Sequence, residues 1–161
     1  MREVPAAGDP LAVEGPVEVG KTKHPAAWSR PLRRFFRPFL TRTQKTEIRK
    51  RIADAESRTS AKIEILILAR AGKKGILDQA KKHFKKLRLG PHEVLIVISH
   101  LDHQLAIWAG EQLHVRCGEQ PWLHVRDTMT AHFSQRRYAE GICAGIDEIG
   151  NALAQHFPLS E

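Results

Sequence analysis

Long apolar runs are missing from this sequence. Nothing in its 161 residues approaches the ~18–20 consecutive apolar residues that a membrane-spanning helix needs. Cysteine is nearly missing too. Cys117 and Cys143 make no disulfide framework, and both are expected to be reduced thiols in a cytosolic protein. The first twenty residues, MREVPAAGDPLAVEGPVEVG, lack a charged start followed by an apolar core, so no signal peptide is expected. The chain has no P-loop, no paired Asp-x-Asp and no calcium loop of closely alternating acids. Cys117 has Leu123, not arginine, six residues on, so it is no phosphatase cysteine. No recognition-helix or stacking-aromatic strand pattern appears, so sequence-specific nucleic-acid binding is not expected.

What is present is enough apolar residue, 42%, to fill one core, and an uneven charge. The formal net charge is +8. Between Lys21 and Arg51 stand eleven Lys/Arg and a single acid, Glu47. From Leu89 to the end the balance reverses, with four Arg and nine acids. A chain basic at one end and acidic at the other points to contact with an anionic surface.

Composition divides the chain in three. Residues 1–29, rich in Pro, Gly, Ala and Val without a period, are predicted to be a disordered tail. Residues 30–40, RPLRRFFRPFL, form a basic aromatic lead that sets Arg30, Arg33, Arg34 and Arg37 among Phe35, Phe36 and Phe39. One reading is a linker whose phenylalanines fold back on the domain. The other is a membrane-surface segment, with rings at the interface and arginines on lipid phosphates. Residues 41–158 carry the folded domain.

Within that domain, Thr43 is expected to cap a helix whose buried stripe is Ile48, Ile52 and Ala55. AKIEILILA follows as a strand, with Ile63, Ile65 and Ile67 on one face and Leu66 and Leu68 on the other. A helix over about 75–88 buries Leu77, Ala80, Phe84 and Leu87, spreads lysines round its surface, and stops at Gly90-Pro91. Then two apolar runs, VLIVIS and QLAIWAG, flank His100-Leu101-Asp102-His103, which predicts a β-hairpin with a polar tip. The first run does not alternate, so its strand belongs mid-sheet with both faces covered. Residues 111–118 read as irregular, with one short strand around His114–Arg116. Helices over about 120–133 and 137–156 complete the order α-β-α-β-β-(β)-α-α. The last helix contains Gly141, Gly145 and Gly150, each about 1 kcal/mol poorer than Ala in a helix, so close packing is their expected purpose. The predicted class is α/β: a small mixed sheet of three to four strands with helices on both faces.

The residues in this order resemble the TPM domain family. The matching stretches are Ala55-Glu56-Ser57-Arg58-Thr59-Ser60, then Phe84 with Leu87, Leu89 and Gly90, then Val94-Leu95-Ile96-Val97-Ile98-Ser99. Asp102 in the hairpin follows, then Ile107-Trp108-Ala109-Gly110-Glu111, Trp122 through Phe133, Tyr138-Ala139-Glu140-Gly141-Ile142, and His156-Phe157-Pro158. The later stretches look like the bacterial branch. The resemblance implies the mixed α/β fold and, through relatives such as a thylakoid-lumen acid phosphatase, metal-dependent phosphate chemistry. This chain departs from the pattern at Lys62, usually acidic, at His92-Glu93, often Asn-Gly, and at His103, usually Arg.

Two sets of residues are candidate ligands. His100, Asp102 and His103 supply nitrogen and oxygen donors of the kind zinc or another transition metal takes. The plainer reading is a solvated tip in which Asp102 bonds backbone amides of the turn. Glu56, Asp102 and Glu111 could meet at one edge of a small sheet and hold Ca²⁺ or another divalent cation through hard oxygens. The functional expectation is a non-enzymatic binding or accessory module. It would be cytoplasmic, peripheral at the inner face of the membrane, and would contact an anionic membrane surface and another protein. The alternative is a metal-dependent phosphatase-like hydrolase centred on the three carboxylates.

Overall fold

The computed structural model describes residues 39–159. Arg30, Arg33, Arg34, Phe35, Phe36 and Arg37 lie outside the described residues, as does the tail 1–29. The described chain forms five helices and three strands in the order α1 (Arg42–Glu56), β1 (Lys62–Leu68), α2 (Ile76–Lys86), β2 (Glu93–Ser99), β3 (Gln104–Ala109), α3 (Glu111–Cys117), α4 (Gln120–Ser134) and α5 (Tyr138–His156).

The sheet order is β1-β2-β3. β1 and β2 run parallel, Lys62 opposite Glu93 and Leu68 opposite Ser99. β2 and β3 run antiparallel, from Val94 opposite Ala109 to Ser99 opposite Gln104. The central place of β2 explains its unbroken apolar run: Val94 through Ser99 are all buried. Alternate residues divide between two cores, because successive strand side chains point to opposite faces. Ile63, Val94, Ile96, Ile98, Leu105 and Ile107 face α1, α4 and α5. Leu95, Val97, Ala106 and Trp108, with Leu66 and Leu68 beside them, face α2. Each aliphatic side chain fully buried there contributes about 1.5–3 kcal/mol.

Local detail corrects the sequence reading three times. Leu87, expected on the inner face of the second helix, lies just past its end and is exposed. The cap of α1 is Thr41, not Thr43. Thr41 Oγ1 accepts from the Gln44 amide at 3.1 Å, and Gln44 Oε1 accepts from the Thr41 amide at 2.9 Å. This is the reciprocal capping box, for which only Thr41 has a glutamine three residues on. Residues Glu111–Cys117 are a helix, where a strand was expected around His114–Arg116. Nearly two turns bury only Leu113, too little for a period to show. Its punctuation was nonetheless written: Glu111 in the first turn and Gly118, at φ 72°, beyond the last.

The glycines of α5 do serve close packing. A Cβ at Gly150 would lie 2.8 Å from the Cβ of Ala55, and one at Gly145 2.7 Å from Met129 Cγ. α1 therefore approaches α5 nearly backbone to backbone at Gly150, and Met129 of α4 seats its side chain against Gly145. The end of α5 is tied to β1 through buried Thr59, whose hydroxyl donates to the Phe157 carbonyl at 2.6 Å and accepts from the Ala61 amide at 3.2 Å. No described helix is long and apolar enough to cross a membrane.

Candidate functional site

The hairpin tip and the exit of β1 come together at the carboxyl end of the two parallel strands, the end where ligands usually sit in open α/β sheets. Ladder pairing continues past the strands. The His100 amide donates to the Leu68 carbonyl at 3.0 Å, and the Leu101 amide to the Ala69 carbonyl at 2.9 Å. The four-residue loop 100–103 closes with His103 at φ 57°, a left-handed position that histidine tolerates better than most side chains.

Asp102 is the centre of this junction. Its Oδ2 accepts from the Ala71 amide at 2.6 Å and from the Ser99 hydroxyl at 2.9 Å, and its Oδ1 accepts from the Arg70 guanidinium at 2.9 Å. Burial works against its charge. The Ala71 amide, the Ser99 hydroxyl and the Arg70 guanidinium together outweigh burial and hold the carboxyl below the usual aspartate range. Ser99 is fully buried, the polar end of an otherwise apolar strand.

The two histidines are largely withdrawn from water. His100 stacks on Phe39, ring centroids 5.0 Å apart and planes within 17°. Burial lowers its pKa, against the opposing charge of Asp102. Burial lowers His103 further, to about 4, with Asp102 opposing and His100 adding to the fall. Both rings are neutral at neutral pH. Phe39 also packs on Tyr138, at 4.9 Å between centroids, so this ring of the basic lead lies against the domain.

Topology separates the acidic set. Glu56 closes α1, and its Oε1 accepts from the Ile63 amide at 2.8 Å while Lys62 Nζ lies 3.8 Å from Oε2. Glu111 is exposed and follows β3 at the same end of the sheet. Asp102 lies at the other end, a strand length away, or about 20 Å for seven residues. The expected meeting of Glu56, Asp102 and Glu111 at one edge therefore does not occur. β3 runs antiparallel and delivers Glu111 to the wrong end. Among the described residues no three His, Cys, Asp or Glu side chains form a group able to hold a metal ion.

Sequence reasoning found Asp102 and its use of a backbone amide. It placed that amide in the hairpin's own turn, whereas the donor, Ala71, is 31 residues earlier in the chain. Arg70 and Ser99 were missed as partners. Ser99 had a legible signal, a lone hydroxyl at the end of a buried apolar strand; Arg70 had none.

A family model of the TPM domain matches residues 36–152. The chain belongs to the TPM domain family. The TPM fold is shared with solved structures. The BA42 protein from the psychrophilic bacterium Bizionia argentinensis is 25% identical, with a TM-score of 0.73 over 79% of this chain and 90% of that one. The N-terminal domain of a Porphyromonas gingivalis (P. gingivalis) protein is 20% identical, with a TM-score of 0.64 over 76% of this chain and 83% of that one, a likeness of fold alone. No curated protein matches the chain. In this TPM domain Asp102 is built into the junction between β1 and the hairpin.

Proposed function

We propose that this TPM domain is a non-enzymatic binding or accessory module acting at an anionic membrane surface, on its cytoplasmic side. The observation that carries the reading is the engagement of Asp102. Its two oxygens accept three hydrogen bonds from within the fold, which suits a structural latch better than a ligand or a nucleophile. Charge supports the surface contact. The exposed side of α1 presents Arg42, Lys45, Arg49 and Lys50, none paired with an acid among the described residues, directly after the basic lead 30–40. Each such residue near an anionic membrane contributes about 1 kcal/mol, falling off within a Debye length.

Co-sedimentation of the full chain with phosphatidylserine-containing vesicles tests this. Binding at low salt should weaken steeply at high salt and on charge reversal of Arg42, Lys45, Arg49 and Lys50. Indifference to anionic vesicles at low salt would remove the surface reading. The metal-dependent phosphatase reading has its own assay, hydrolysis of a phosphomonoester with Ca²⁺, Mg²⁺ or Zn²⁺. Activity that disappears in Asp102→Ala would replace a non-enzymatic role with a catalytic one.

A further inference from the structure

β1 is an edge strand, and no described strand pairs with its outer side. The parallel register assigns its backbone groups. Lys62 donates to the His92 carbonyl and Leu68 accepts from the His100 amide, so residues 62, 64, 66 and 68 bond to β2. Ile63, Ile65 and Ile67 therefore direct their amides and carbonyls outward. The Ile63 amide is met by Glu56 at 2.8 Å. Those of Ile65 and Ile67 have no partner among the described residues.

The side chains of this edge are also unfinished. Ile65, Leu66, Ile67 and Leu68 are all half-exposed, although β2 beside them is buried throughout. Proteins usually blunt such an edge with charge, proline or a bulge, and after Glu64 this strand has none of these. Between β1 and α1 runs a groove of about 400 Å³, floored by Ile48, Ile52, Ile65 and Ile67, with Leu40 also lining it. Lys45 and Arg49 stand on its α1 side without acidic partners among the described residues. Glu64 lines the same groove from β1.

We propose that the outer edge of β1 and the groove beside α1 form a strand-docking site for an extended aliphatic segment, flanked by acidic residues, of a partner protein. Main-chain bonds to Ile65 and Ile67 supply affinity, the groove takes alternate aliphatic side chains, and Lys45 and Arg49 select acids at the flanks. A second copy of this chain fits less well, because two such edges meeting would bring α1 cations toward α1 cations. The proposal rests on the binding-module reading and names the kind of partner that module takes.

The test uses the full chain and two labelled octapeptides, Glu-Glu-Val-Leu-Val-Val-Glu-Glu and its counterpart with Lys for each Glu, followed by fluorescence anisotropy and by amide exchange at Ile65 and Ile67. The acidic peptide should bind at least tenfold more tightly than the basic one and slow exchange at both amides. Double reversal, Lys45→Glu with Arg49→Glu, should invert the preference. Ile65→Pro removes an outward amide that β2 does not use, so it should abolish binding while the far-UV circular dichroism stays that of the folded chain, at a lower unfolding midpoint because Ile65 packs on the core. Equal binding of both peptides, or binding that survives Ile65→Pro, would overturn the proposal. So would amides at Ile65 and Ile67 already protected without peptide, whether in a dimer (a second copy fills the edge) or in a monomer (the chain's own residues fill it). Vesicle binding should be untouched by Ile65→Pro, so failure of the docking site and failure of the surface reading are separable.

Discussion

The backbone amide of Ala71 lies 2.6 Å from Oδ2 of Asp102, and this contact joins the exit of β1 to the tip of the β2–β3 hairpin. Ala71 is itself buried, so its amide has no water to fall back on. A carboxylate in this position is better understood as the missing hydrogen-bond partner of a bend than as a spare ligand. The bend must leave the sheet before α2 begins, and Gly72, at φ 84°, follows at once.

Removing that partner should be costly. Asp102→Ala leaves the buried Ala71 amide without its acceptor and the Ser99 hydroxyl with only the Ala69 carbonyl at 3.5 Å, and is expected to destabilise the fold by about 1–3 kcal/mol. Asp102→Asn, which can still accept one bond, should lose less. Arg70→Ala should change little, since its guanidinium is exposed. Urea denaturation of the three variants ranks the contributions, and equal stability of all three would show that the junction is held by packing alone.

The junction also predicts a pH dependence. His103 has its pKa lowered from 6.5 to about 4. Below the unfolded value of 6.5 the unfolded chain takes up a proton that the folded ring refuses, so stability falls as pH drops from 6.5 toward 4. After discounting for the partial exposure of the ring, the loss should be no more than about 2 kcal/mol. Asp102 has the opposite chemistry and the same direction: its lowered pKa favours the folded state above the unfolded value, and that share is lost as pH falls through the folded one. His103→Asn, which tolerates the left-handed backbone, should lessen the fall of the thermal midpoint between pH 6.5 and 4, leaving the share that buried His100 contributes and the more acidic loss in place.

Gly150→Ala should destabilise even though alanine favours helices by about 1 kcal/mol. The new methyl would meet Ala55 Cβ at 2.8 Å, and neither helix backbone can yield cheaply. A net loss of about 1–3 kcal/mol by chemical denaturation is expected. The compensating pair Ala55→Gly with Gly150→Ala should recover part of it.

Thr59→Val keeps the shape of the side chain and removes the hydroxyl that donates to the Phe157 carbonyl and accepts from the Ala61 amide. Because both groups are shut from water, about 1–3 kcal/mol should be lost. Hydrogen exchange should locate the loosening at the end of α5 and the start of β1.

Much of this architecture was legible in one dimension. The apolar run Val94–Ser99 announced a central strand because a strand covered on both faces has no polar side to show. The split of Ile63, Ile65 and Ile67 from Leu66 and Leu68 predicted two cores, since alternation is a property of the strand itself. Short-range signals were read less well. The Thr41–Gln44 box was passed over for Thr43, and α3 was too short to display a period.

The candidate site divides along the same line. That a polar tip carrying Asp102 would sit between two buried strands followed from the sequence, because hairpin pairing is local. Which groups that carboxylate would meet, and which acids it would not, depended on the direction of β3 and on a crossover that returns Ala71 beside a loop 31 residues later. Those are long-range pairings, which no local pattern of residue types encodes. They made Asp102 a latch and put Glu56 and Glu111 at the opposite end of the sheet.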